Sequence, residues 1–300
     1  MDPRLFVFLT VARLGQLTQA SKRLNLSPSS VSSQIAALER DMGATLFVRG
    51  SRGMKLTASG RTLFSAAEQM EALWNKTSRD VRATQEGVSR VRIAASHTTA
   101  ELFLPRPLGR FRAQWPETLI NLVMTNSETV LDMVTDGAVD VGIIEGTPVR
   151  GRLHHEKLWT DQLTLIVSTQ HPLAHRESVS IPDLTALDWI LREEGSGTRR
   201  VFERALEHAG FAVSELNVMM RLASLRSILA MVANNIGVSV VSRAIFGAEE
   251  ITVSGVVPVS IVGLDLTRTL EAVLPGANIT TRVEQLLDQL RHDARIRQKA

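Results

Sequence analysis

Four short polar stretches in the C-terminal two-thirds of the chain carry side chains suited to holding a small anion. Ser96, His97, Thr98 and Thr99 stand together, Asn126 stands beside Ser127, Glu145 precedes Gly146, and Ser196, Thr198 and Arg199 fall in the run Glu194-Gly-Ser-Gly-Thr-Arg199. Each follows a run that reads as a strand. Three of them also open a helical pattern, so hydroxyls and free backbone N–H groups gather where the helix dipole favours negative charge. Taken singly, each is an ordinary helix cap. Taken together they point to one cleft, because ligands of open α/β sheets bind beyond the carboxyl ends of the strands. The chemistry expected there is non-covalent recognition of a sulfur oxyanion, phosphate or short carboxylate, with Arg199 as a charged donor. Glu145 repels an anion unless it faces away or accepts a ligand hydroxyl or ammonium, which keeps an amino acid or hydroxy acid as the alternative.

A second constellation lies near the N-terminus, and its chemistry is the reading of base edges. Leu17 to Leu24 and the helix opening at Ser27-Pro28 form two short helices around Asn25, a residue that tolerates the left-handed conformation of a tight turn. Ser27 caps the second helix and Pro28 suits its first position. Val31, Ile35, Leu38 and Met42 form an apolar stripe toward a core. The opposite face carries Ser29, Ser33, Ala36 and Arg40, flanked by Ser30 and Gln34, with Ser32 nearby; small and hydroxylated, it suits a major groove. Leu5, Phe6, Phe8, Leu9 and Ala12 supply a supporting helix that Gly15 ends.

Charge separates this segment from the rest. Residues 1–65 hold nine Lys/Arg against three acids, whereas the remainder holds 25 against 28, within a whole-chain net charge of +3. A basic excess confined to the helix pair is what phosphate binding requires. Past Gly43, residues 46–56 read as two short strands around a Gly50–Gly53 turn, a wing that sets Arg49, Arg52 and Lys55 at or beside its tip for phosphates or a minor groove.

From these residues the chain resembles the LysR-type transcriptional regulators. The resemblance covers the whole length and is most specific from Phe6 to Leu63: the helix pair, Leu38-Glu39, Leu46-Phe47-Val-Arg49 and Leu56-Thr57-Ala-Ser-Gly60. Family members often carry Arg where this chain has Ser33, so guanine reading by a bidentate arginine does not carry over. The resemblance implies an α/β protein with an N-terminal winged helix-turn-helix (residues 1–57), a dimerising linker helix (58–84), a hinge (85–90) and a two-lobed effector domain like the periplasmic binding proteins (91–300). Lobe I would take about 91–162 and 268–300, and lobe II about 163–267. It also implies promoter DNA, a small effector and a second copy of the chain as partners, in a homodimer or homotetramer, and allows RNA polymerase.

Local patterns agree with that plan. Thr57 caps a helix running to about Thr84, in which Leu63, Ala66/Ala67, Met70, Leu73/Trp74, Thr77 and Val81 step by three and four as a heptad-like seam that needs a partner. From Arg90 strands and helices alternate: strands at 91–95, 119–124, 139–144, 163–168, 189–191, 238–241 and 270–274, helices at about 100–115, 128–135, 198–209, 224–235 and 280–295. Repeated βαβ units predict a largely parallel sheet covered on both faces.

Other classes are disfavoured. The chain has no cysteine, hence no disulfide or thiolate chemistry. Its seven histidines show no metal spacing, and the adjacent His154-His155 read as surface positions. No metal or cofactor is expected. No run approaches the roughly 18 apolar residues of a membrane span, and the N-terminus does not open like a secretory signal, so a cytoplasmic location is expected. An enzyme acting on a small anionic metabolite, with Glu145 or His97 as base, remains the rival, but no nucleophile–base pair supports it.

Overall fold

A computed structural model of the 300-residue chain describes all residues except 51–52, 87–88, 147–152, 248–252, 277–278 and 299–300. It divides into two compact units, Met1–Glu86 with Thr135–Ala138, and Gly87–Val134 with Val139–Ala300. Arg52, the Arg49 side chain and hinge residues 87–88 lie outside the described residues.

The first unit runs α1 (Pro3–Leu14), α2 (Leu17–Leu24), α3 (Pro28–Met42), β1 (Phe47–Gly50), β2 (Gly53–Leu56) and α4 (Ala58–Glu86). Its boundaries follow from local chemistry. Gly15, Asn25 and Gly43 end the three short helices with φ of 66°, 53° and 63°, the left-handed cap that Gly and Asn accept. Thr57 starts α4 by accepting the Gly60 N–H at 2.9 Å. Val31, Ile35 and Leu38 pack against Leu5, Val7, Phe8, Leu9 and Val11 of α1, with Phe47 stacked 5.3 Å from Phe8. Two expectations fail here: Phe6 and Met42 are about half exposed. The buried face of α1 is set by α2, α3 and α4 together, so Val7 and Val11 go inside while Phe6 is left out. The wing is fastened to α1 where the Met54 N–H donates to the Gly15 carbonyl at 2.7 Å. Gly53, at φ 127°, permits that approach, since a Cβ there would stand 2.2 Å from the same oxygen.

The second unit is built on an eight-stranded sheet. Its first part contains β3 (Arg90–Ser96), a π-helical turn (Thr99–Phe103), α5 (Pro105–Gln114), β4 (Leu119–Thr125), α6 (Ser127–Thr135) and β5 (Val141–Glu145). β6 (His154–Ser168) then leads to β7 (Ser178–Val179), β8 (Asp188–Arg192), α7 (Gly197–His208), β9 (Asn217–Leu222), α8 (Leu225–Ala233), β10 (Ser239–Ser242) and β11 (Val256–Ile261). β12 (Thr267–Leu274) and α9 (Thr281–Arg297) close the chain.

The strand order is β4-β3-β5-β12-β6-β11-β7, with β10 also on β6, and β8 and β9 pair separately. Only part of this sheet is parallel: β3 runs parallel to β4 and β5, but β12 is antiparallel to β5 and β6, and β6 is antiparallel to β10 and β11. The expected parallel sheet is therefore a mixed one. The reason is β6, which spans fifteen residues where the sequence pattern marks only 163–168. Its first half, His154-His-Glu-Lys-Leu-Trp-Thr-Asp-Gln162, pairs with β12 among the early strands, and its second half serves the later ones. Two strands, β6 and β12, thus join two halves.

One core runs through both halves, and each half adds a smaller one. Ile93, Val141 and Ile143 meet Phe111 of α5 and Leu286, Leu287 and Leu290 of α9 on one face. Val130, Leu131 and Val134 of α6 cover the other face. In the second half Trp189 stacks 5.0 Å from Phe202 amid Leu165, Val167 and Val240. His155 is not a free surface residue: its Nδ1 lies 3.0 Å from the buried Glu271 carboxylate. Among the described residues no helix is long and apolar enough to cross a membrane.

Candidate functional site

The first unit presents a polar face on α3. Ser27 Oγ accepts the Ser30 N–H at 3.1 Å and lies 2.9 Å from Ser29 Oγ, so the cap and the first turn are ordered. Pro28, Ser29, Ser33 and Arg40 are exposed, while Ser30 and Ser32 are half-buried. Gln34 departs from the expected face: it lines a groove with Met1, Phe6, Leu24, Leu26 and Trp74. Lys55 is exposed on β2, opposite Val48 in the hairpin.

Ion pairing sorts the cations. Arg4 is held by Asp2 and Asp41, and Arg13 by Glu68 and Glu71. Lys22, Arg23, Arg40 and Lys55 are exposed and have no acidic partner among the described residues. Positive charge left for phosphates is thus concentrated on α2, α3 and the wing. One residue of this unit escaped the sequence reading. Glu39 Oε1 accepts the N–H of Leu46 at 2.7 Å and of Phe47 at 3.3 Å, tying α3 to the first strand of the wing. Its visible signal was a carboxylate in an otherwise basic segment.

The second unit gathers its polar junctions around one carboxylate. Ser96 ends β3, Glu145 ends β5, and Thr198 lies in the first turn of α7 behind its cap Ser196. Ser96 Oγ donates to Glu145 Oε1 at 2.8 Å, and Thr198 Oγ1 donates to Oε2 at 2.8 Å. Arg268 Nη1, from β12, reaches the same Oε2 at 2.7 Å and Thr198 Oγ1 at 2.9 Å. The Arg268 Nε donates to Asp161 at 2.7 Å, its cross-strand neighbour on β6, and Ser242 donates to the other Asp161 oxygen at 2.7 Å. Thr98 Oγ1 stands 3.5 Å from Thr198 Oγ1. All of these residues are buried; Glu145 is 1% and Arg268 4% exposed.

The approach of α7 to β5 needs a glycine. A Cβ on Gly197 would lie 2.4 Å from the Glu145 carbonyl oxygen, so only Gly lets the helix N-terminus sit against that strand end. Ser127, at the start of α6, accepts the Glu145 N–H at 3.3 Å. Asn126 bridges the halves by donating to the Glu194 carbonyl at 3.3 Å. Thr99 Oγ1 is spent within the first half on Ser96 and the Ile143 carbonyl.

Two candidates do not join the cluster. Arg199 pairs with Glu203 at 2.6 Å, one turn along its own helix. His97 is half-buried and outside the hydrogen-bond network. Four partners were missed: Arg268, Asp161, Ser242 and the buried Arg192. Charged residues inside strands were the available signal, but only the β6–β12 register brings Asp161 and Arg268 side by side.

Glu145 neither faces away nor stands free, as the sequence had allowed. Burial pushes its carboxyl up, but the Arg268 and Arg192 guanidinium groups and the hydroxyls of Thr98 and Thr198 outweigh that, and the net value falls to about 2. The group is ionised across the physiological range, so it serves no proton transfer near neutrality. The carboxylate beside Ser96 is already shared with Thr198 and Arg268, and among the described residues no three His, Cys, Asp or Glu side chains could hold a metal. The arrangement holds charge among its own side chains.

Comparison with known proteins finds one family in both parts of the chain. Residues 4–61 match the model of the bacterial regulatory helix-turn-helix proteins of the lysR family, and residues 84–295 match the LysR substrate binding domain. An HTH-type transcriptional regulator of Methanocaldococcus jannaschii is 34% identical over 278 residues, covering 91% of this chain and 93% of its own. The regulatory domain of CcmR from Synechocystis, solved in complex with 2-PG, is 26% identical with a TM-score of 0.62 over 68% of this chain and 96% of its own. CbnR, solved in full length with its target DNA, shares the fold at 21% identity and a TM-score of 0.59, over 98% of this chain and all of its own.

The acid response of the buried carboxylate is testable. A carboxyl near 2 when folded and 4.5 when unfolded contributes stability that is complete above the unfolded value and is lost as pH falls toward 2. Urea unfolding should therefore lose about 2 kcal/mol from this group between pH 6 and pH 3. Glu145→Gln, which leaves Arg268 paired with Asp161, should flatten the pH profile by that amount; an unchanged slope would refute the assignment.

Proposed function

The chain belongs to the LysR family of transcriptional regulators, and from that premise we propose that it binds its promoter through α3 and the wing, dimerises through α4, and answers to a small effector held where β3, β5, α7 and β12 converge. It is a DNA-binding regulator rather than an enzyme. The observation that carries the effector reading is the buried gathering of Ser96, Thr98, Ser127, Ser196 and Thr198, hydroxyls from both halves at strand ends and helix N-termini. A small anion fits their donors, and CcmR offers a similar regulatory domain that takes a small ligand. We place the DNA-binding part at residues 1–57, the linker helix at 58–84, the hinge at 85–90 and the effector part at 91–300, working in the cytoplasm. Effector occupancy and DNA affinity are linked, so each changes the other by the same factor.

The test is footprinting of the DNA next to the chain's own gene, with and without a metabolite panel. One metabolite should shift the protected pattern, and Ser96→Ala with Thr198→Val should abolish the shift while leaving the ligand-free footprint. A pattern indifferent to every metabolite, or a shift untouched by that pair, would count against the reading.

The exposed cations give a second measurement. Lys55→Ala should lower affinity alike for specific and random duplex and reduce the slope of log affinity against log salt by about one. Equal slopes would remove Lys55 from the interface.

The seam on α4 gives a third. Met70, Leu73, Trp74 and Val81 are each more than half exposed in the single chain, an apolar stripe at coiled-coil spacing. Light scattering at micromolar concentration should find a dimer or tetramer, and Met70→Glu with Leu73→Glu should yield smaller species. A monomeric wild type would overturn the dimer; a dimer alone would dispose of the tetramer and its further contacts.

A further inference from the structure

We propose that Glu145 is a built-in occupant of the anion site: its carboxylate stands where the effector's anionic group would bind, and an anion enters only by displacing it from Ser96, Thr198 and Arg268. The inference rests on reading this cleft as the effector site, and it specifies how that site is regulated.

Hydrogen-bond capacity makes the case first. A hydroxyl has one proton to give. Ser96 and Thr198 both give theirs to Glu145, at 2.8 Å each, and Thr198 accepts from Arg268 as well. While Glu145 stays, neither hydroxyl can donate to a ligand. Its two oxygens are engaged from three separate elements, β3, α7 and β12. That is how a bound carboxylate ligand would be held, except that this one is part of β5.

Charge makes the case a second time. The Arg268 guanidinium faces two carboxylates, Glu145 through Nη1 and Asp161 through Nε and Nη2. Arg192, which also acts on Glu145, is bound to Glu193 through Nε and Nη2. An anion added to this set would meet cations already matched. If Glu145 leaves, Arg268 keeps Asp161 but its Nη1 is freed, the set sheds one negative charge, and the protons of the two hydroxyls become available to a ligand, so the cradle can take an anion.

Displacement has a mechanical consequence. A carboxylate freed from its partners cannot remain buried, because an unpaired charge in a low-dielectric interior is strongly unfavourable. It must reach water, and because the N-terminus of α7 is seated against the end of β5, α7 gives way as it leaves. Arg268 and Asp161 lie on the strands that join the halves, so exchanging Glu145 for a ligand acts where the halves are connected. Ligand exchange and a change in the closure of the halves are then one event.

Calorimetry of the full chain with inorganic phosphate and with sulfate tests this. Wild type should bind weakly, and Glu145→Gln should bind at least about tenfold more tightly, with the gain lost when Ser96→Ala and Thr198→Val are added. If Glu145→Gln does not fold, Glu145→Asp, which withdraws the carboxylate by one methylene, should shift affinity the same way by a smaller factor. Equal or weaker binding in the folded variant overturns the proposal, as does no binding of either anion by wild type and variant alike. If the hydroxyl double variant loses wild-type binding but Glu145→Gln gains nothing, the cleft stands and the occupant fails. If wild-type binding ignores the double variant, the cleft itself is misplaced.

Discussion

A guanidinium held between two carboxylates in the interior is the constraint on which the second unit depends. Arg268 joins Glu145 at the end of β5 to Asp161 on β6, and Thr198 of α7 closes the circuit. Buried ion pairs are costly to desolvate, and replacing one with well-packed apolar groups is often neutral or stabilising. Its presence here is therefore better understood through what it fixes than through what it adds to stability. It sets the position of the strand end, the helix N-terminus and both connecting strands with directional bonds, which apolar packing alone does not supply. The neighbouring glycine at 197 and the caps at Ser127 and Ser196 are consequences of the same demand for close approach.

The first unit is governed by a comparable economy at smaller scale. One carboxylate, Glu39, orients the wing relative to α3, and one glycine, Gly53, lets the wing touch α1. The face of α3 that remains outward is made of small hydroxylated side chains and Arg40. That face offers short hydrogen-bonding groups, with Arg40 as its one long charged side chain.

Elements with a local cause were legible in the sequence. The ends of α1, α2 and α3 follow from Gly15, Asn25 and Gly43, the start of α4 from Thr57, and the strand ends carrying Ser96 and Glu145 from apolar runs that stop at polar residues. What was not legible depended on partners far along the chain. The polar first half of β6 has no strand pattern of its own and exists because β12 lies beside it. β9 and β11 were missed for similar reasons, as short strands whose alternation only neighbours complete. Ser96, Glu145 and Thr198 were singled out in the sequence, but Arg268 and Asp161 were not, because those two meet only through a register no local window contains. Arg199 misled for the opposite reason: its local setting beside a helix start suggested a ligand, while Glu203 one turn away claimed it.

The placement of β12 has a consequence for how the polypeptide is made. It lies between β5 and β6 in the sheet, yet it is translated about 120 residues after the end of β5. Until residues 267–274 leave the ribosome, β5 keeps an unpaired edge and Glu145 lacks its counter-ion, so the early strands cannot settle around a bare interior carboxylate. The later half, whose strands are largely contiguous, is free to assemble beforehand. A product that stops short of Arg268 would then leave both an open strand edge and a carboxylate without its counter-ion. The same arginine that organises the finished molecule is thus a late arrival in its assembly.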